Sequence, residues 1–226
     1  MPKTDIVASF EELKREVAET RDYVLNNLIT GTKEEELYKG TAILYSGLIY
    51  NPTFLFIGIN PGQGFYKLKG IKYRETELNP LDDFEYTDEE CPDYSLAEQT
   101  RTAFEKTKYK DSLSKSVKTN LFYTSTSGLK QMHELFDILD EKFGVNYYEK
   151  SLEWTKRLIS LIEPKIIICE GKLVVDILSK YYEVEPNWNQ ETAAFQIDGE
   201  IRVLGYKRRY SHIRNIDSFV MALNSL

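Results

Sequence analysis

"FLFIGINPGQGFYK", residues 54–67, decides the fold. The apolar run Phe54 to Ile57 reads as a buried strand, and Gly58-Ile59-Asn60-Pro61-Gly62 reads as the sharp turn that ends it. In open α/β sheets, ligands bind just beyond the carboxyl ends of strands, and Asn60 stands at such an end. Asn60 therefore either faces a ligand or caps a turn, where asparagine is common.

Upstream, residues 9–31 predict a helix. Ser9 and Glu12 have capping-box spacing, Phe10, Leu13, Val17, Val24 and Leu28 form the apolar stripe, and Gly31 is the stop. "TAILYSGLIY", residues 41–50, predicts a strand or a short hairpin. Downstream, residues 63–94 read as a long, irregular, partly acidic excursion of the kind that is usually functional or mobile. Residues 95–109 predict a helix, and "SVKTNLFYTSTS", residues 116–127, a strand running into a polar loop. Two amphipathic helices follow over 128–144 and 146–164. "KIIICEG", residues 165–171, is a buried strand closed by Gly171, with a helix directly after it. Asp198-Gly199 lies between two strand-like runs and predicts a hairpin, and residues 215–226 form a closing helix. Strands alternating with helices argue one α/β/α layered domain over residues 1–226 with a largely parallel sheet.

Composition narrows the function. Hydrophobic content of 42% with 29% charged residues suits a globular protein with a sizeable core. No apolar stretch approaches the roughly 18 residues of a membrane span, and the N-terminus lacks an apolar signal-peptide core. The expectation is a cytoplasmic monomer with no membrane partner. Cys91 and Cys169 suggest no disulfide framework and cannot supply the four thiolates of an ordinary iron–sulfur cluster. His133 and His212 leave few zinc ligands, so no metal and no cofactor is expected. The glycine-rich loops of dinucleotide and P-loop nucleotide sites are absent. Net charge is -7, yet acid concentrates in residues 81–94 and base in "GYKRRYSHIR", residues 205–214, so one face is expected to be positive.

Three separated segments share a further likeness. "FLFIGINPG" resembles the first motif of the uracil-DNA glycosylase superfamily, closest to its Gly-x-Asn-Pro-Gly branches, the mismatch-specific and single-strand-selective ones. "VKTNLFYTSTS" resembles the family's strand ending in a base-reading asparagine, and "PKIIICEGKLVVDIL" its strand–Gly–helix segment. These pieces occur in the family's order and span most of residues 54–182. The resemblance implies a three-layer α/β/α domain around a central, largely parallel four-stranded sheet, acting on single- or double-stranded DNA. The likeness ends at the last motif. The family places a His-Pro-Ser or Asn-Pro-Ser loop after its last strand, whereas "IRVLGY" is followed here by Lys207 to Asn215 without proline.

Cleaving a base from deoxyribose requires a held water, a group that reads the base, and stabilisation of the departing anion. The resemblance assigns the water to Asn60, an orienting amide that is a poor proton acceptor. Main-chain groups near Gly62 and Gln63 would help hold base or water, glycine letting the backbone approach closely. Asn120 would read the base, because one amide offers both donor and acceptor to adjacent carbonyl and imide groups; otherwise it is a strand-end asparagine. Phe65 or Tyr73 would stack on a flipped base, or else pack the loop. His212 would stabilise the leaving base, or is simply solvated. Lys207, Arg208, Arg209 and Arg214 would contact phosphates, or form a solvated basic loop.

The leading expectation is a monofunctional DNA base N-glycosylase acting on uracil or a related damaged base. The alternative is a catalytically silent relative that binds nucleic acid or a protein partner. Hydrolysis or binding of a free nucleoside or nucleotide in the same pocket is a third, weaker reading.

Overall fold

The computed structural model describes residues 3–29, 32–61, 78, 84–87 and 95–226. Within these the chain forms two compact units. One is drawn from Met1–Ile43, Asn60–Asn79 and Asn120–Ile162, the other from Leu44–Ile59, Pro80–Thr119 and Glu163–Leu226.

In chain order the elements are α1 (Lys3–Val24), β1 (Gly40–Thr41), β2 (Phe54–Gly58), α2 (Ser95–Glu105), β3 (Val117–Asn120), β4 (Thr124–Ser125), α3 (Leu129–Phe143) and α4 (Tyr147–Ile162). They continue as β5 (Ile166–Glu170), α5 (Lys172–Tyr181), β6 (Asn187–Trp188), β7 (Thr192–Ile197), β8 (Ile201–Tyr206), β9 (Arg208–Arg209), β10 (His212–Ile213) and α6 (Ile216–Ser225).

The second unit holds a sheet of order β3-β2-β5-β8-β7-β6. Strands β2, β5 and β8 run parallel, with Phe56 beside Ile168 and Ile168 beside Leu204. All five residues of β2 and of β5 are buried, as a parallel strand covered on both faces requires. Alternation then sorts the side chains. Phe54, Phe56, Ile166, Ile168, Leu204 and Tyr206 pack with Phe104 of α2 and Phe219 and Leu223 of α6. On the opposite face α5 approaches so closely that a Cβ on Gly205 would lie 2.1 Å from Cγ2 of Val175. Helices thus cover both faces of this sheet, as layering of strands and helices demands.

Several expectations change. The sheet has six strands rather than four, because the antiparallel β7–β8 hairpin and the short edge strand β6 extend it. The hairpin turns where expected: Asp198 and Gly199 take left-handed φ of 49° and 76°, and Ile197 pairs with Ile201. Helix α1 begins at Lys3, so Ser9 lies inside the helix and caps nothing. Buried Ile6 extends the stripe of Phe10, Leu13 and Val17 one turn upstream. After Val24 the helix widens into a π turn over Leu25–Ile29; Gly31 lies outside the described residues. "TAILYSGLIY" forms no strand or hairpin of its own. Only Thr41 of it pairs, in the two-residue β1–β4 ladder, although Ala42 to Ser46 are buried.

In the first unit the core is built by α1, α3 and α4 with the segment after β3. Leu121, Phe122 and Tyr123 are fully buried. Phe122 meets Phe136 edge-on at 5.4 Å, and Tyr123 stacks on Trp154. Trp154 Nε1 donates to Glu16 at 2.9 Å, and Arg157 pairs with the same carboxylate. Partial burial pushes the Glu16 carboxyl up, but the Trp154 and Arg157 hydrogen bonds outweigh it and leave the group below its ordinary value.

Candidate functional site

β2 ends at Gly58, and Asn60 stands two residues beyond it, half-buried. Its Nδ2 donates to Thr126 Oγ1 at 3.2 Å and lies 3.4 Å from the Pro61 carbonyl. Thr126 Oγ1 in turn donates to the Gly128 carbonyl at 2.9 Å. A hydroxyl has one proton to give, so Thr126 must accept from Asn60. That settles which end of the amide is nitrogen. The donor end of Asn60 is tied down, and its Oδ1 carries no hydrogen bond among the described residues. Ser125 Oγ also donates to the Pro61 carbonyl, at 3.1 Å. The chain leaving β2 is therefore pinned to the chain leaving β4.

Asn120 is the last residue of β3, the strand next to β2 in the sheet, and is only 5% exposed. Its main chain is fixed: buried Thr155 of α4 sets its hydroxyl 3.3 Å from the Asn120 carbonyl and 3.1 Å from that of Leu121. Its side-chain amide makes no hydrogen bond among the described residues. Although the residue as a whole is nearly buried, its amide nitrogen and oxygen still reach solvent and are open to a ligand.

Gly62, Gln63, Phe65 and Tyr73 lie outside the described residues. The basic candidates sit together in the other unit. β9 and β10 form a two-stranded ribbon in which His212 pairs with Arg209. Lys207 Nζ donates to the Gln190 carbonyl at 2.6 Å, and Arg214 Nε lies 3.5 Å from Glu191. Arg208 packs on the backbone at Gly171. The ribbon is held at its base by Ile213, whose N–H donates to Gln99 at 2.7 Å. Arg209 and His212 are exposed at its end.

Sequence reasoning passed over a cluster in the second unit. Lys118 of β3 is buried, with Nζ 3.0 Å from Glu85 and 2.7 Å from Glu170, and it also contacts the Tyr86 hydroxyl. Tyr86 donates to the second oxygen of Glu170. Part of the signal was available: Glu170 is a charge at the end of an otherwise apolar strand run, where a charge survives only with a partner, whereas Lys118 stands in a mixed run, Val-Lys-Thr-Asn. Next to Glu170, the Tyr206 hydroxyl is buried with no partner among the described residues, and burial, reinforced by Glu170, pushes its pKa up. Cys169 is fully buried, and desolvation with the neighbouring Glu170 raises its thiol well above the ordinary value, so it is no nucleophile.

Among the described residues no group of three or more histidine, cysteine or carboxylate side chains is placed to hold a metal ion. No described helix is long and apolar enough to cross a membrane. No protein-family model matches the chain, and no curated protein matches it significantly.

Proposed function

We propose that the chain is a DNA base N-glycosylase with a layered sheet of the uracil-DNA glycosylase kind, hydrolysing the bond between deoxyribose and uracil or a related damaged base. The observation that carries this reading is the unpartnered amide of nearly buried Asn120 at a strand's carboxyl end. An amide left open at a strand end, without a protein partner among the described residues, suits a ligand that offers it both a donor and an acceptor, as a pyrimidine edge does. The state of Asn60 supports the same reading. With its nitrogen held by Thr126, its oxygen is left to accept from a water and orient it. An amide cannot take the proton outright, so the chemistry leans on the oxocarbenium character of the sugar, and turnover is slow.

A silent, binding-only relative is the second reading, favoured by His212. Its side chain is exposed on the ribbon, where water screens any stabilisation it could give a leaving anion. A single-turnover assay separates the two. Oligonucleotides carrying uracil, hypoxanthine or xanthine, single- and double-stranded, are incubated with the protein and then treated to cleave abasic sites. Strand breaks that depend on Asn60 support the glycosylase. Absence of breaks on every base defeats it and leaves the binding protein.

A further inference from the structure

We infer that a surface on the unit holding the central sheet binds single-stranded nucleic acid, with Trp188 as the stacking ring and Lys172 and Lys207 as the flanking phosphate contacts. The choice of nucleic acid as partner rests on the function proposed above; Lys207 is shared with the phosphate contacts expected from the sequence, whereas Trp188 and Lys172 are not.

Trp188 lies on β6, the edge strand of the six-stranded sheet, and is half-buried. Lys172 and Lys207 hold their ammonium groups 5.7 Å and 5.4 Å from its ring centroid. Three segments converge to make the surface. They are the start of α5, the β6–β7 connection, and the ribbon of β9 and β10. Lys207 N donates to the Glu191 carbonyl at 2.9 Å, and Arg214 N to the Lys207 carbonyl at 3.0 Å. Arg208 lies against Gly171, 3.5 Å from where a Cβ would stand. Lys172, Lys207, Arg208, Arg209 and Arg214 are thereby gathered, with Lys172 ion-paired to Asp176 and Arg214 to Glu191. This concentration of cations occurs on a chain of net charge -7. Tyr210, 86% exposed at the end of the ribbon, adds a second ring.

The alternation of cation and flat ring selects the partner. A phosphodiester strand repeats the complementary pair, an anion and then a planar base, whereas an acidic peptide supplies anions alone. Single strands are favoured over duplexes because the faces of paired bases are already stacked. The lysines do not block the ring. An exposed cation–π contact is weaker than a base stacked on tryptophan, and the flexible lysine stem lets a phosphate draw the ammonium aside.

Trp188 supplies its own probe, because Trp154, the second of two tryptophans, is buried. An oligothymidine strand without any modified base is titrated against the protein, followed by tryptophan quenching, beside the same length of adenine–thymine duplex. The single strand is expected to bind about tenfold tighter than the duplex. Trp188→Ala should weaken the single strand by about tenfold, and the duplex little. The double change Lys172→Gln with Lys207→Gln keeps the ring. It should flatten the slope of log affinity against log salt by about 1.4, two phosphate contacts' worth. Equal single-strand binding by a Trp188→Ala protein that melts like wild type overturns the proposal. So do an unchanged salt slope in the lysine pair and equal binding of polyglutamate. Strand binding that survives Asn60→Ala with no cleavage of any base would uphold this surface while removing the glycosylase. Cleavage that persists with single-strand binding unaltered in Trp188→Ala would do the reverse.

Discussion

Asn60 is held by the nitrogen of its amide, and the proposed mechanism uses the oxygen, which sets what its replacement should do. Asn60→Ala should slow single-turnover cleavage about 100-fold, or about 3 kcal/mol, with the melting temperature and DNA affinity largely kept. Thr126→Val removes the acceptor that fixes the amide's orientation. As a positioning change it should lower kcat by a smaller factor with KM nearly unaltered, and Thr126→Ser should restore the rate. Asn120→Ala should relax the choice among uracil, hypoxanthine and xanthine more than it slows the preferred base. A full wild-type rate in Asn60→Ala would end this mechanism. Lys118 tests a different physical term. Its ammonium is buried between the Glu85 and Glu170 carboxylates, and Lys118→Met removes the cation that both carboxylates share. Removing one partner of a buried ion pair costs on the order of 3–5 kcal/mol. Urea unfolding should show the midpoint falling by that equivalent with the slope unchanged.

Elements are fitted to one another with little slack where α5 crosses the sheet. Gly205→Ala would set a methyl 2.1 Å from Val175 Cγ2 and should destabilise by about 1–3 kcal/mol in urea unfolding. Adding Val175→Ala to that variant should recover part of the loss, since the clash is with a side chain rather than backbone. The α1–α4 contact carries a pH signature instead. The folded Glu16 carboxyl titrates below its ordinary value of 4.5. Its contribution is therefore complete above that pH and is lost as pH falls through the folded value. Glu16→Gln should make stability less dependent on pH below about 4.5, as acid titration followed by circular dichroism would show. Which elements were legible in the sequence follows from range. β2 is a continuous apolar run ended by glycine, β5 an apolar run closed by Glu170 and Gly171, and the β7–β8 turn is written in Asp198-Gly199; local chemistry suffices for each. The segment after Thr41 misled because an apolar run signals burial, not pairing. Ala42 N–H is satisfied by the Tyr123 carbonyl, and Tyr45 N–H by that of Lys118. The strand-end asparagines could be read from their own neighbours, but Thr126, which fixes Asn60, is 66 residues away. The Lys118–Glu170 pair spans 52 residues, beyond the reach of any local pattern.

Across the whole molecule the chain belongs to neither unit in one piece. It passes from one to the other five times, so each unit is assembled from three separate segments. Strand β2, for instance, is bounded in sequence by residues 43 and 60, both of the first unit. Ordering either unit therefore closes loops that the other must span, and losing one releases the chain entropy that had been spent on both. Interleaving of this kind argues for one cooperative transition even though two compact units exist. The two tryptophans make the claim measurable, since Trp154 lies in the first unit and Trp188 in the second. Trp188→Phe leaves a probe of the first unit alone, and Trp154→Phe a probe of the second. Each substitution shifts stability by its own amount, so the comparison is made inside each variant. Thermal melting followed by tryptophan fluorescence should coincide with melting followed by far-ultraviolet circular dichroism, which reports both units together. Two separated midpoints within one variant would show that the units unfold independently, and the five crossings would then act as linkers rather than as constraints.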